Sequence, residues 1–245
     1  MKLYYRISDN SYPKSKFEGT NKEICLMNFA KTFQNEIFGP TAPPADSWVP
    51  PMRIIADKCG RKTHKMLQET GIPLSTTDFG NAGSLKFAFE IAFEECQDDD
   101  LVYFCEDDYL HLYNAPRLLR EGIAKADYVT LYDHPDKYSK SYNFGEFSKV
   151  IKTESSHWRF TISTCMTFAT TIKTLKEDFE IWSKHIGENH PYDHKIFTDL
   201  NKEKKRKLAV CIPGAACHAD LDYYNKVGNN LIEPWVSAMI ADVSS

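Results

Sequence analysis

Apolar residues along the chain fall into two kinds of run. Short and nearly continuous ones at Lys2–Ile7, Met52–Asp57 and Leu101–Cys105 predict buried strands. Longer stretches space their apolar residues at helical intervals. Leu26, Phe29, Phe33 and Ile37 form one stripe within Asn21–Ile37, and Leu85, Ala88, Phe89, Ala92, Phe93 and Cys96 form another within Ser84–Gln97. Thr63–Thr70 predicts a shorter helix. The stretch "TAPPADSWVPP" (Thr41–Pro51) carries four prolines and reads as a rigid loop. "IPLST" is followed by a predicted loop at "DFGNAG". Strands separated by helices of about 10–15 residues imply a parallel sheet with helices on both faces.

The second half is less regular. Asp127–Tyr132 predicts a strand, and Pro135–Phe147 a polar and aromatic loop or hairpin. Ser163–Thr170 is a β-rich run leading into a helix through Trp182. Pro191–Asn201 predicts a helix and Leu208–Ile212 a late strand. No repeat or low-complexity tract interrupts the chain. The expectation is one α/β domain over 1–245, with a regular half at 1–135 and an irregular half at 136–245.

Composition narrows the partners. The 245 residues are 42% hydrophobic and 13% aromatic, enough for a sizeable core. A net charge of −4 argues against a nucleic-acid binder and leaves at most a peripheral membrane contact. No run approaches the ~18 apolar residues of a membrane span, and the polar start is no signal peptide. Seven scattered cysteines with no CxxC fit a reducing compartment, so a cytoplasmic location is expected.

The chemistry concentrates in "LVYFCEDDYLH" (Leu101–His111), where an apolar strand runs into Glu106, Asp107 and Asp108. Adjacent carboxylates at the edge of a core repel one another unless something positive joins them. A divalent cation such as Mn²⁺ or Mg²⁺ is the natural candidate, because it takes carboxylate oxygens and completes its shell with phosphate and water. Helix-capping acids are the alternative. In a parallel α/β sheet, ligands gather at the carboxyl ends of the strands. Ser8 and Asp9, Asp57, and the acidic triplet then share one rim.

The order strand, "AD" (Ala56–Asp57), "NAG" (Asn81–Gly83) leading a helix, apolar strand, "EDD" resembles the nucleotide-binding half of a GT-A glycosyltransferase of the family-2 type. That resemblance covers about residues 1–135. It implies a GT-A, Rossmann-like fold with a mostly parallel central sheet, and an EDD variant of the DxD motif. It further implies that Asp57 meets the nucleotide base and that Asn81, Gly83 and Ser84 lie near the nucleotide. Asp107 or Glu106 would lie near ribose, and Asp108 on the metal. "RISDN" departs from the more apolar first strand and the Pro or Asn turn of many members. The implied donor is a nucleotide sugar, UDP-sugar favoured, and the implied acceptor a glycan or glycolipid.

The second half should then hold the acceptor side. An inverting transfer needs one general base. Asp193, beside Pro191 at a helix start, is the candidate, with Asp133 as rival and Asp199 as helix surface. Inversion is favoured because a base candidate exists and no obvious nucleophile does. His218 is a candidate metal ligand by its place in chain order, with Asp220 as its neighbour; Cys217 has no partner at zinc spacing. Trp158, between His157 and Arg159, is either an acceptor platform or a core residue. Tyr138, Tyr142, Phe144 and Phe147 are candidates for an acceptor-side loop. "KEKKRK" (Lys202–Lys207) reads most simply as a solvated helix end. A sugar-phosphate nucleotidyltransferase shares the sheet and the metal but normally has a Gly-rich basic loop after strand one, where Asn10–Thr20 has one glycine. A DEDD-type nuclease needs acids inside the first strand. A non-catalytic sugar-binding protein is the remaining alternative.

Overall fold

A computed structural model of the chain describes residues 1–11, 16–38, 51–138 and 148–220. The regular half holds strands β1 (Lys2–Ser8), β2 (Met52–Asp57), β3 (Leu74–Thr77) and β4 (Leu101–Glu106), side by side and parallel in the order β3-β2-β1-β4. Their connections hold helices α1 (Lys22–Thr32), α2 (Gln34–Phe38), α3 (Arg61–Glu69) and α4 (Gly80–Glu95). Side chains alternate across a strand, and here both faces are apolar, as a sheet covered on two sides requires. Leu3, Tyr5, Ile54, Tyr103 and Cys105 pack with Leu26, Phe29 and Phe33 of the α1 segment. Tyr4, Ile55, Val102 and Phe104 pack with Leu85, Phe89 and Ala92 of α4.

The second half extends this sheet. It adds β5 (Tyr109–His111), α5 (Ala115–Ile123), β6 (Tyr128–Thr130), β7 (Val150–Lys152), β8 (His157–Thr161) and β9 (Phe168–Thr171). Then follow α6 (Ile172–His185), α7 (Asp193–Lys204), β10 (Leu208–Ile212) and β11 (Ala216–His218). The nine-stranded order is β3-β2-β1-β4-β9-β6-β10-β8-β7, in which β9 and β8 run against the others. A mostly parallel central sheet flanked by helices is the architecture that the GT-A resemblance implies. β5 and β11 form a separate antiparallel pair, with Tyr109 opposite His218.

Several boundaries differ from the sequence expectation, each for a local reason. The predicted helix over 21–37 breaks at Phe33, whose φ of −100° and ψ of 16° leave the helical region. The break lets Phe33 stack on Phe29 at 4.6 Å while α2 returns Ile37 to the same core. α4 begins at Gly80, so "NAG" lies in its first turn and not in a loop. The β-rich run 163–170 is strand only from Phe168, and β8 precedes it. α5 escaped the sequence reading altogether. Pro191 bridges to Ile186, and α7 starts at Asp193. The proline-rich loop before Pro51 and the residues Tyr142, Phe144 and Phe147 lie outside the described residues. Among the described residues no helix is long and apolar enough to cross a membrane.

Trp158 is a core residue. It is fully buried, its indole N–H donates to Thr153 Oγ1 at 3.0 Å, and its ring lies against Gly122 of α5. A Cβ at Gly122 would come within 2.5 Å of that ring. Gly122→Ala should therefore destabilise the protein by about 1–3 kcal/mol, the usual cost of overpacking; an unchanged denaturation midpoint would refute the packing.

His111 predicts a pH effect. Its ring is buried among Phe29, Phe33 and Tyr103, with Nε2 2.7 Å from the Tyr103 hydroxyl, and burial pushes its pKa down to about 3. The unfolded chain takes up this proton near pH 6.5 and the folded chain does not, so stability falls as pH drops through that window. About 2 kcal/mol should be lost through His111 between pH 7 and 5. Urea titrations of His111→Gln should show a shallower decline than wild type over that range.

Candidate nucleotide-binding site

The chain runs outward from β1 through β2 to β3, then crosses back to place β4 on the other side of β1. Such a reversal opens a crevice at the carboxyl ends of the strands. A cavity of about 430 Å³ lies there, lined by the ends of β1, β2 and β4, the start of α4, and Glu188 and Asn189 from the α6–α7 connection.

Register decides what meets at this crevice. Arg6 pairs with Glu106 and Ser8 with Asp57 across parallel neighbours. Arg6 Nη2 lies 2.7 Å from Glu106 Oε1 and donates to Asn81 Oδ1 at 3.1 Å. Its Nη1 donates to the Asn81 carbonyl at 2.8 Å and to Ser84 Oγ at 3.3 Å. One guanidinium thus joins β1, β4 and the first turn of α4. An arginine within an otherwise apolar strand is the sequence signal for this role.

The other two carboxylates also have protein cations. Asp107 Oδ2 accepts the Ser8 N–H at 3.1 Å and lies 3.0 Å from Lys22 Nζ. Burial, then Asp108, pushes the Asp107 pKa up, while Lys22 and Ser8 oppose the rise. Asp108 Oδ2 lies 2.9 Å from His218 Nε2 and 3.9 Å from Lys16 Nζ. No lysine or arginine adjoins the triplet in sequence, which is why a metal is expected there. The fold corrects that argument by bringing cations in from distant segments.

A divalent ion still fits part of this corner. Asp108 Oδ2 and His218 Nε2 share a hydrogen bond at 2.9 Å, and a divalent ion bound to both would take the place of its proton. β5–β11 pairing sets that distance, and the His218 ring is fixed against Tyr109 at 4.9 Å. Among the described residues no group of three or more potential ligands forms, so phosphate and water would complete the shell. Asp220 is buried, and its N–H donates to the His218 carbonyl at 2.8 Å.

Asp57 is turned toward α4. Its Oδ1 accepts from Thr77 Oγ1 at 2.9 Å, Phe79 N at 2.7 Å and Gly80 N at 3.1 Å, and its Oδ2 accepts from Gly80 N at 3.1 Å. These bonds anchor the start of α4, where Gly80 takes a φ of 76° that glycine adopts without strain. Lys58, next to Asp57, holds a φ of 51° and also lines the cavity.

The remaining candidates separate. Ser8, Asn81 and Ser84 line the cavity with the acidic triplet. Asp9 does not; its carboxylate accepts from Gly60 N and Thr63 Oγ1, each at 2.8 Å, at the start of α3. Burial raises its pKa, but these bonds and Lys22 hold it lowered on balance. Gly83 packs on Phe79, where a Cβ would approach to 2.5 Å, so it shapes the helix start and does not line the cavity. Phe79, Glu188 and Asn189 line it without having been foreseen. On this wall Lys58 takes a left-handed backbone and the Phe79 ring is exposed, two departures from local rules.

Asp193 is the first residue of α7, outside the cavity lining but five residues beyond Glu188. Burial raises its pKa, opposed by the His194 N–H and by His194, His134 and His190. Burial, then Asp193, pushes the pKa of the Cys165 thiol up, opposed by a hydrogen bond with Tyr109. The rival Asp133 is engaged by Arg159 Nη2 at 2.8 Å and by the Tyr138 hydroxyl. Tyr138 lies over Arg159 at 5.6 Å, and His157 is exposed on β8. Asp199 pairs with His185 at 2.7 Å. Within "KEKKRK", Arg206 turns inward to Asp178, Glu177 and Asp127, so that run is not uniformly solvated.

No family model matches the chain, and no curated protein does. Among solved structures it is similar to the inositol-1-phosphate CTP transferase from T. maritima, with a TM-score of 0.48 and 12% identity over 100% of this chain and 97% of that one. It is similar to the galactosyltransferase LgtC in complex with donor and acceptor sugar analogues, with a TM-score of 0.47 and 10% identity over 86% and 73%. The mannose-1-phosphate geranyltransferase from Thermus thermophilus gives 0.45 and 14% over 86% and 74%. Function is therefore argued from the crevice itself.

The bonds around Asp57 make a prediction. Asp57→Ala strands the Phe79 and Gly80 amides and should cost about 1–3 kcal/mol of stability, measured by urea unfolding. A variant as stable as wild type would show that the carboxylate does not hold α4.

Proposed function

We propose that the protein is a glycosyltransferase that moves a sugar from a nucleoside-diphosphate sugar, UDP-sugar favoured, to a hydroxyl of a glycan or glycolipid. The observation that carries this reading is the crevice at the strand reversal, where Glu106, Asp107 and Asp108 line one cavity with Asp57, Asn81 and Ser84. The cavity volume suits a nucleotide-sized ligand. Mn²⁺ or Mg²⁺ held by Asp108 and His218 would offset the charge of the diphosphate leaving group.

The chain's own residues do the rest. Arg6 fixes Asn81 and Ser84 on the cavity wall. Asp57 is the residue offered to the base, through Oδ2, which takes one of its four bonds. Asp193 is the general base, inverting the anomeric carbon by deprotonating the acceptor hydroxyl. Burial raises its pKa, which makes it a stronger base than an exposed carboxylate. Glu188 and Asn189 connect that base to the donor cavity along the chain. A nucleotidyltransferase is less well supported, since Asn10–Thr20 lacks a Gly-rich loop.

Two variants test this. Asp193→Asn should bind nucleotide sugar normally and transfer it about 10²–10⁴ times more slowly; near-normal transfer would remove Asp193 from the role. Asp108→Asn should abolish the Mn²⁺-dependent part of UDP binding in calorimetry. Equal UDP affinity with and without EDTA in wild type would overturn the metal reading.

A further inference from the structure

Lys22 breaks a local rule. It is the first residue of α1, where unpaired amide N–H groups disfavour a positive side chain. Asn21 already caps this helix through Ile24 N at 2.9 Å, so the helix itself gains nothing from the lysine. Its partners are tertiary. Nζ lies 3.0 Å from Asp107 Oδ2, 3.1 Å from Ser11 Oγ and 3.9 Å from Asp9 Oδ1, and it donates to the Ser8 carbonyl. Lys22 does not line the cavity, whereas Ser8, Ser11 and Asp107 do. The ammonium therefore reaches the acidic corner from behind the wall.

Both protein donors to Asp107, the Ser8 N–H and Lys22, fall on Oδ2. We propose that Lys22 is the resident counter-ion of Asp107, a positioning residue that keeps this carboxylate from serving as a metal ligand. A divalent ion on Asp107 would stand close to the ammonium and be repelled by it. Asp108, whose ammonium neighbour Lys16 stands farther off at 3.9 Å, is left with His218 as the more open place for metal, and Asp107 Oδ1 is left to the polar groups of the ligand. The inference deepens the nucleotide-sugar reading and rests on it for what that ligand is.

The test is calorimetric titration of Mn²⁺ alone, without nucleotide, into wild type, Lys22→Met, Lys22→Arg and Lys58→Met. Lys22→Met should bind Mn²⁺ at least about tenfold more tightly or take up a second ion, because one neighbouring charge shifts a carboxylate's cation affinity by that order. Lys22→Arg should restore wild-type binding, and Lys58→Met, which removes a cation from the same cavity, should show a clearly smaller gain. If Lys22→Met does not fold, Lys22→Gln replaces it. No gain over wild type, or an equal gain in Lys58→Met, overturns the proposal; so does a protein in which neither form binds Mn²⁺. UDP titrated into the same proteins separates the two readings. Loss of UDP binding in every form refutes the nucleotide reading and leaves the Mn²⁺ comparison to decide the role of Lys22.

Discussion

Arg6 places a guanidinium on a strand in the interior of a nine-stranded sheet with 6% of the residue exposed. Burying such a charge is costly unless it is paired and hydrogen-bonded, and removing one partner of a buried pair typically costs ~3–5 kcal/mol. Glu106 is partly exposed, at 26% of its side chain, so the full figure does not apply here. The constraint is geometric all the same. The two terminal nitrogens of Arg6 find their partners only when β4 lies beside β1 in one register and α4 presents Asn81 and Ser84 to them. A slip of one residue would turn its side chain to the opposite face. The crevice and its acidic corner follow from that alignment.

Around this anchor the site is a set of matched charges drawn from far apart in the chain. Arg6 answers Glu106, Lys22 answers Asp107, and Lys16 answers Asp108, which also shares a hydrogen bond with His218. The pairs differ in what they leave open. Glu106 and Asp107 are held to the sheet and to α1. Asp108 is held to β11 by its hydrogen bond with His218. Acidic residues adjacent in sequence thus have three different environments. A search for equivalent carboxylates would miss this division.

The fold also separates two jobs that sequence order ran together. Asp9 and Asp57 follow strand ends as a ligand-binding acid would, yet both start helices. Asp9 holds α3 through Gly60 and Thr63, and Asp57 holds α4 through Phe79 and Gly80. Each uses its charge on exposed amide groups at a helix start, where a carboxylate is favourable. Asp57 keeps a place on the cavity wall while doing so; Asp9 does not.

The amino-acid sequence by itself determined β1, β2 and β4, because a strand covered on both faces is an unbroken apolar run, and "KLYYRI", "MRIIA" and "LVYFC" are close to such runs, whereas β3, "LSTT", is not. It also determined that chemistry gathers after Cys105, because three adjacent acids there oppose local electrostatics. The tertiary structure alone decided how those acids are neutralised. Lys22, Lys16 and His218 come from segments far along the chain from the carboxylates they approach, and no periodicity links them. It alone placed Trp158 in the core, since a tryptophan on a β-strand is compatible with either face until Gly122 lies beneath it. It alone ran β9 and β8 against their neighbours, because strand direction is set by the path of the chain between strands and leaves no mark on the residues within them.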